Sequence, residues 1–312
     1  LQGDWSSDVC SSDLSFYNNP RFYLSSGTLT VPGSIVPTNV ANNAGAAVRF
    51  WMDQGSQNGT LVLTGSTPWS NSNNFQSPWG NGGNALFSLI LNGTSSTVKY
   101  SASGNQTINR ARASATGTVA VTYTNLTLAG SGNKDLPSTS TATVTGTLSF
   151  EGSATITTTA PTYGASSTLQ YKNGGRTTTA LEWPSSSGPS NLIIDNSGNT
   201  VTMLSSAART LTGNLTLTAG TLADNGNTLT VNGNILGTGT HSGAGKILLN
   251  TTGSAISGAT LGNLELSSSG GSFSLTGNPT INGTLTLTNG TLTVGASGIV
   301  TIGSGGAISR TS

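Results

Sequence analysis

Acidic residues are the first candidates for chemistry in this chain, because carboxyl groups act as general acids, bases and nucleophiles. Seven of them follow residue 14: Asp53, Asp135, Glu151, Glu182, Asp195, Asp224 and Glu265. Glycoside hydrolysis needs two carboxyl groups a few ångströms apart, and no two of the seven are close in sequence. The nearest approach to a pair is Asp195 with Glu265, which follow similar motifs beginning at Asn191 and Asn263. The sequence predicts that these two do not share a site, so no catalytic residue is predicted and the protein is expected not to be an enzyme.

Metal and cofactor sites are also not predicted. The single histidine, His241, lies in the glycine-rich segment 237–243, where a solvated loop residue is the simpler interpretation. The chain has no Cys/His spacing typical of zinc, no glycine- and aspartate-rich calcium repeat and no phosphate-binding loop. We therefore expect neither a metal nor a cofactor.

Three tryptophans, Trp51, Trp69 and Trp79, are candidates for contact with a glycan. They fall in an aromatic segment, residues 50–87, between stretches rich in Asn, Ser and Gly. Flat rings beside amide groups suit the faces and hydroxyls of sugars. The alternative, which the sequence favours, is that these rings pack an irregular insertion onto the rest of the fold.

The elements that must position these residues come from an internal repeat. Residues 213–222 return almost unchanged at 283–292, an offset of 283 − 213 = 70, and a weaker copy begins at Gly146, 213 − 146 = 67 residues earlier. Each copy has three blocks, which begin at Thr97, Asn125 and Gly146, at Thr168, Asn191 and Gly213, and at Lys246, Asn263 and Gly283. From the second block to the apolar residue that leads the third, the step is 18 to 20 residues, which is about one short coil. A fixed period of this kind is typical of stacked units.

Within the blocks, leucine alternates with threonine, as in residues 215–218, which predicts short strands with one apolar face. Asn-Gly pairs such as 232–233 and 282–283 favour hairpins, and hence antiparallel β-sandwich repeats. Each unit, however, has too few inward leucines to form a core alone, whereas stacked coils line them up. The sequence therefore favours an all-β fold, a parallel β-solenoid, with a right-handed β-helix expected from the usual crossover rule.

Composition fits a folded but weakly charged chain. Charged residues make up 7%, against about 25% in an ordinary soluble domain. Residues 4–14 resemble a translated short-read sequencing adapter, and we expect 1–14 to be an artefact. Without it the chain has no cysteine, and 11 basic against 10 − 3 = 7 acidic residues give a formal charge of +4. This thin surplus does not predict nucleic-acid binding.

Three parts are expected from these patterns. Residues 1–14 are the artefact, 15–96 an N-terminal β segment with the aromatic, Asn- and Gly-rich insertion, and 97–312 the β-solenoid repeats. The repeats are placed at about 97–167, 168–245 and 246–312. Both ends are expected to be truncated, so the sequence does not tell whether the protein has a signal peptide or a sorting domain. No run of about 18 apolar residues predicts a membrane span.

The segments Tyr163–Tyr171, Glu182–Leu192 and Tyr123–Asn133 resemble the β-strand repeats of very large bacterial surface and secreted proteins, many of them similar to adhesins and type IX secretion cargo. The resemblance covers residues 97–312. It implies an extracellular or cell-surface location and a structural or adhesive role, with glycans or surface proteins as partners. A polysaccharide-binding or polysaccharide-cleaving β-helix is the alternative function.

Threonine pairs suggest one remote alternative, an ice-binding solenoid. The pairs are 216/218, 228/230, 286/288 and 291/293, and a flat array of them on one face would resemble the surface of some antifreeze proteins. The simpler interpretation is that threonine favours strands and tolerates water. The alternative requires all pairs to share a face.

Overall fold

The computed structural model describes residues 14–16, 21–24, 26–37, 47–51, 59–69, 86–90, 95–108, 119–138, 140–205, 208–296 and 298–311. The chain divides into two compact units, unit 1 (Leu1–Gly164) and unit 2 (Ala165–Ser312). The described residues contain strands and turns and no helix. Their strand ladders are parallel, so the predicted parallel β-solenoid is confirmed and the antiparallel sandwich is not found. The right hand of the helix stays a prediction.

Unit 1 has sixteen described strands, most of them three to five residues long. In chain order they are β1 (Leu14–Phe16), β2 (Arg21–Tyr23), β3 (Thr28–Val31), β4 (Ile35–Pro37), β5 (Ala47–Trp51), β6 (Thr60–Leu63), β7 (Leu86–Ile90), β8 (Thr97–Tyr100), β9 (Gln106–Thr107), β10 (Val119–Tyr123), β11 (Asn125–Leu128), β12 (Asn133–Leu136), β13 (Ser140–Val144), β14 (Thr147–Glu151), β15 (Thr155–Thr158) and β16 (Thr162–Tyr163).

The longest sheet of unit 1 stacks five of these strands in the order β3, β6, β8, β11 and β14. Alternation sets which side chains enter the core: in β3, β6 and β8 the second and fourth residues are buried. The inward positions stand in register, so that Leu61, Val98, Leu126 and Leu148 form one buried column. Each such side chain contributes roughly 1.5–3 kcal/mol by leaving water. Because β6 and β8 pair directly, the stacking continues on the N-terminal side of Thr97, where the sequence placed the start of the repeats.

Two smaller sheets of unit 1 matter for the site described below. One is β9, β12 and β15, which we call the groove sheet. The other is β10, β13 and β16.

Unit 2 has another sixteen strands, and several are long enough to turn a corner of the coil. They are β17 (Thr168–Lys172), β18 (Arg176–Thr177), β19 (Asn191–Thr202), β20 (Arg209–Leu211), β21 (Leu215–Ala223), β22 (Thr228–Val231), β23 (Ile235–Gly237), β24 (Thr240–Ser242), β25 (Lys246–Leu249), β26 (Ala255–Ile256), β27 (Thr260–Leu261), β28 (Leu264–Leu275), β29 (Thr280–Ile281), β30 (Thr284–Thr293), β31 (Thr301–Ile302) and β32 (Ala307–Arg310).

Three parallel ladders run through unit 2, and they define the coil. The first ladder passes through Leu192, Leu215, Ile235, Ile256 and Leu275, with steps of 23, 20, 21 and 19 residues. The second contains six threonines in register, namely Thr200, Thr221, Thr240, Thr260, Thr280 and Thr301. The third passes through Arg209, Leu229, Ile247, Leu264, Leu285 and Ile308. One coil therefore takes about twenty residues and contributes one strand segment to each ladder.

This coil explains the 70-residue offset. Leu215, from the first copy of the repeated segment, is in the first ladder, whereas the corresponding Leu285 is in the third. Three coils lead from Leu215 to Leu275 in the same ladder, and the chain then passes Thr280 in the second ladder before it reaches Leu285. The offset therefore spans three coils and two further sides of the coil. The blocks beginning at Lys246, Asn263 and Gly283 are successive levels of one ladder, and pairing of Thr228 with Lys246 carries that ladder across the expected limit at residue 245.

Asparagine side chains link successive coils at the turn before the strand. The side-chain Oδ1 of Asn191 accepts the backbone N–H of Asn214 at 2.8 Å, and Asn214 Oδ1 accepts the N–H of Asn234 at 2.8 Å. Asn234 Oδ1 in turn accepts the N–H of Ala255, also at 2.8 Å. We call this series the asparagine relay. It satisfies backbone donors at a corner where the ladder itself does not.

Replacing Asn214 by Ala should destabilise unit 2, because the N–H of Asn234 loses its acceptor while the surrounding backbone still excludes most of the water. We expect the free energy of unfolding in urea to fall by about 1–2 kcal/mol, and hydrogen exchange at the Asn234 amide to accelerate. Asn214→Asp keeps the accepting oxygen and should stay close to wild type. Equal losses in the two variants would contradict the relay.

Candidate functional site

Charged side chains in the described residues, together with His241, form five close pairs. Four of them join different coils, and one, Arg176–Glu182, joins strand β18 to the loop that follows it. The pairs are Lys99–Glu151, Lys172–Asp195, Arg176–Glu182, Asp224–His241 and Lys246–Glu265. Lys172 and Asp195 are direct partners in the first ladder of unit 2. Four of the carboxylates that the sequence offered as candidate acids, Glu151, Asp195, Asp224 and Glu265, thus contact a residue of another coil.

Asp195 and Glu265 do not form a catalytic pair. Asp195 belongs to the first ladder of unit 2, and Glu265 belongs to the third, where it bonds to Lys246 and accepts the Thr288 hydroxyl at 2.8 Å. The hydrogen bond from Lys246 is the main cause that holds the pKa of Glu265 below its usual value. Asp53 lies outside the described residues.

His241 is not a solvated loop residue, as the sequence suggested, but a core residue. It is 1% exposed, at the inward position of β24 that Leu222 occupies in the coil before. Its Nε2 lies 3.1 Å from Oδ2 of Asp224, although the two are not aligned as a hydrogen bond. The glycine-rich composition around His241 predicted a surface position, but strand pairing aligns this residue with the buried Leu222 and places it in the core.

Asp224 accepts two backbone hydrogen bonds in addition to its contact with His241. Its Oδ1 accepts the backbone N–H groups of Gly226 and Gly245, both at 2.8 Å, so one carboxylate oxygen joins two turns. Burial raises the pKa of Asp224, but the contact with His241 and these two amides outweigh that effect and lower the pKa overall. Asp224 therefore stays ionised inside the unit.

A pair of variants tests whether His241 and Asp224 depend on each other. His241→Leu suits the apolar column but removes the imidazole that lies against the buried Asp224 carboxylate, and should cost about 1–3 kcal/mol of unfolding free energy. Adding Asp224→Asn removes the charge and keeps the oxygen that accepts the two amides, so the double variant should recover most of the loss. Urea unfolding of the four proteins gives the coupling energy, and additive losses would contradict the dependence.

A second polar cluster closes the first coil of unit 2. Glu182 and Trp183 are each 1% exposed, and Glu182 Oε1 accepts the N–H of Thr179 at 2.9 Å. Arg209, 3% exposed, donates from Nε to the carbonyl of Trp183 at 2.9 Å. Burial raises the pKa of Glu182, and Arg176 opposes the rise. Sequence patterns could have found Arg209, because it shares the inward face of β20 with Leu211.

The three candidate tryptophans have different outcomes. Trp69 is 4% exposed, and its indole N–H donates to the Tyr100 hydroxyl at 2.9 Å, which lies 3.1 Å from the hydroxyl of Tyr123. Its ring therefore packs the core of unit 1 and does not present a face to a glycan. Trp51 ends β5, but its side chain lies outside the described residues, as does the whole of Trp79.

Two inward polar side chains, missed by the sequence reasoning, support the groove sheet of unit 1. Lys134 is fully buried, and its ammonium donates to the carbonyls of Ala102, Gly104 and Ser131 at 2.8, 3.0 and 3.0 Å. Its neighbour in register, Gln106, donates from Nε2 to the carbonyls of Leu63 and Gly65 at 2.9 and 2.8 Å. Alternation along β12 does indicate that Lys134 faces inward, since it shares a face with the buried Leu136.

The Lys134 ammonium should make stability depend on pH. Burial lowers the pKa of this group from 10.5 to about 8. Between these values the unfolded chain holds the proton and the folded chain does not, so stability rises with pH through that window. Relative to Lys134→Gln, which does not titrate, the wild type should gain on the order of 1–3 kcal/mol between about pH 7.5 and pH 10.5. Urea unfolding at these two pH values is the measurement, and a constant difference would contradict it.

The threonine pairs do not share a face. Thr216 and Thr291 belong to the first ladder of unit 2, and Thr230 and Thr286 to the third. The condition for the ice-binding alternative is therefore not met. Six threonines do align in the second ladder, but each contributes only one hydroxyl per coil there.

An open groove of about 420 Å³ runs over the groove sheet of unit 1. Polar side chains line it throughout: Ser66, Thr67, Asn105, Gln106, Thr107, Asn133, Asp135 and Thr157. A second open groove in unit 2, of about 510 Å³, is lined by residues at the corner between the first and second ladders, with glycines and threonines predominating.

Comparisons with known proteins identify no relative. No family model matches the chain, and neither the curated proteins nor the solved structures contain a significant match. Within the described residues there is no group of three or more His, Cys, Asp or Glu side chains placed to hold a metal ion. Nor does that part of the chain contain a helix long and apolar enough to cross a membrane.

Proposed function

We propose that this chain is a non-catalytic structural or adhesive segment of a large secreted or cell-surface bacterial protein. The observation that supports the proposal is that the acidic side chains have their partners inside the protein. All six carboxylates in the described part of the chain have partners within the protein. Four form ion pairs with Lys or Arg, Asp224 accepts two backbone amides beside His241, and Asp135 accepts the hydroxyls of Thr157 and Thr158.

Ion pairs between coils are a structural use of charge. A catalytic acid or base must exchange its proton with a substrate and reach it in a cleft, whereas Glu182 and Asp224 are buried against Arg176 and His241. Glu265 is held ionised by Lys246 and Thr288. These contacts favour a scaffold over an enzyme, and they account for the few charged residues that the sequence contains.

The proposed location depends on the sequence. The β-strand repeats resemble those of secreted bacterial surface proteins, and the only cysteine falls within residues 1–14. A stack of coils that gains stability from each added neighbour is suited to such proteins, since its stability is approximately a sum over repeats and their interfaces.

Substitution of the acids separates a structural from a catalytic role. Glu182→Gln leaves Arg176 without its buried partner and should lower the unfolding free energy by about 2–4 kcal/mol. Asp195→Asn, at a more exposed pair, should cost less than about 1 kcal/mol. Removal of a catalytic acid commonly leaves stability unchanged or increases it, so this order, measured by urea unfolding, supports the structural role.

An activity assay completes the test. The full chain is incubated with neutral and anionic polysaccharides, and new reducing ends and unsaturated products are measured. We expect no bond cleavage by the wild type. Cleavage that Glu182→Gln, Asp195→Asn or another acid substitution abolishes would overturn the proposal.

A further inference from the structure

We propose that the groove of unit 1 binds a neutral polysaccharide, which it holds by direct hydrogen bonds from Asn105, Thr107, Asn133 and Asp135. This inference rests on the adhesive form of the proposed function and names its ligand class and site. It moves the glycan contact away from the tryptophans to a surface with no aromatic side chain.

The groove presents polar groups in a regular array. Asp135 is in register with Thr107 in one neighbouring strand and with Thr157 in the other, and Asn133 is bonded to Asn105 one level away. Strands are roughly 4.8 Å apart and side chains on one face repeat roughly every 6.6 Å. Four polar groups thus outline a rectangle similar in size to one sugar ring, and the rectangle continues along the stack.

In Asn105, Asn133 and Asp135 an internal contact holds one side-chain oxygen and leaves the other polar atom for a ligand. Asn105 Oδ1 accepts the N–H of Asn133 at 2.9 Å, and Asn133 Oδ1 accepts the Thr155 hydroxyl at 3.1 Å. Asp135 Oδ1 accepts the Thr157 hydroxyl at 3.2 Å. Within the described residues the two amide Nδ2 groups, Asp135 Oδ2 and the Thr107 hydroxyl have no protein partner. The amides can donate and the carboxylate can accept, which is the combination that sugar hydroxyls need.

The walls of the groove are held rigid from inside. Gln106 donates to the carbonyl of Gly65, directly before Ser66, and so ties one wall to the groove sheet. Lys134 bonds to the carbonyls of Ala102 and Gly104, in the turn that leads to Asn105. A site supported in this way loses little conformational entropy when a ligand binds.

The charge of the groove lining favours a neutral ligand over an anionic one. Among the described residues, Asp135 is the only charged one that lines the groove, and the nearby Lys134 ammonium is buried and turned inward to backbone carbonyls, so an anionic polymer would meet a carboxylate and no cation at this surface. Anionic polymers such as nucleic acid or polyuronate would be repelled. The lining lacks the apolar centre that protein interfaces use, and one carboxylate is too few for a strong calcium site. A neutral chain of sugars fits these constraints, and each further residue of the polymer adds contacts along the groove.

The test uses the full chain in affinity gel electrophoresis with dextran, glucomannan or glycol chitin as neutral probes and polygalacturonate as the anionic probe. We expect at least one neutral polymer to retard the protein, without added calcium and in the presence of a chelator. Asn133→Asp and Asp135→Asn each keep the internal oxygen contact and change only the free group. Each should weaken binding roughly tenfold or more, as loss of a hydrogen bond to a charged or oriented group predicts.

Matched changes on unit 2, Asn199→Asp and Asp195→Asn, should leave binding unchanged. Thr107→Tyr, which fills the groove from an outward strand position, should abolish binding. If an isosteric variant fails to fold, judged by its thermal unfolding, Thr107→Tyr alone decides.

Absence of retardation by all neutral probes would overturn the inference. So would retardation that the groove variants leave intact, a requirement for calcium, or preference for polygalacturonate. Release of new reducing ends from any probe would instead overturn the non-catalytic function, so the two failures are distinguishable.

Discussion

The contact between an asparagine in one coil and a glycine in the next is the constraint on which the stacking depends. Asn191 Oδ1 accepts the N–H of Asn214, and a Cβ added at Gly213 would lie 2.3 Å from that same oxygen. The arrangement recurs at Asn263 with Gly283, where the separation would be 2.5 Å, and in unit 1 at Asn125 with Gly146, where it would be 2.8 Å. A real Cβ does not tolerate these distances. Glycine is therefore required so that the asparagine can reach the backbone of the next coil.

This contact connects two sequence blocks that otherwise look independent. The block that begins with asparagine and the block that begins with glycine keep nearly the same separation, 21 residues from Asn125 to Gly146 and 20 from Asn263 to Gly283. The separation is nearly constant because one coil must bring the two residues together. Other turns of the coil differ more in length, as the loop that contains Glu182 and Trp183, between β18 and β19, shows.

Alternation and repetition were enough to predict the fold class and much of the core, because many of the short strands alternate apolar with polar residues and a parallel stack puts the apolar ones in register. The Asn-Gly pairs, in contrast, favoured hairpins and antiparallel sheets, and that expectation was wrong. At Asn232-Gly233 glycine is required because a Cβ there would lie 2.5 Å from Asn214 Oδ1. It does not serve the backbone turn of a hairpin. Sequence spacing alone does not distinguish these two uses of glycine. The 70-residue offset was also ambiguous. It shows that two segments are alike in sequence, but it does not show on which side of the coil each one lies.

The candidate sites were harder to predict for a physical reason. Whether a polar residue belongs to the core or the surface depends on register, and composition pointed the wrong way for His241, while alternation pointed the right way for Lys134 and Arg209. Once Lys134 and Arg209 are inside, they must bond to carbonyls there, because a buried charge without partners is too costly. His241 instead packs against the Asp224 carboxylate. The bonds that Lys134 makes to Ala102 and Gly104 hold the turn beside the groove of unit 1. In this protein the polar residues of the core therefore hold the turns that border the polar surface above them. Such internal support is what the ligand site proposed for this groove requires, because the groove has no aromatic side chain to order a ligand.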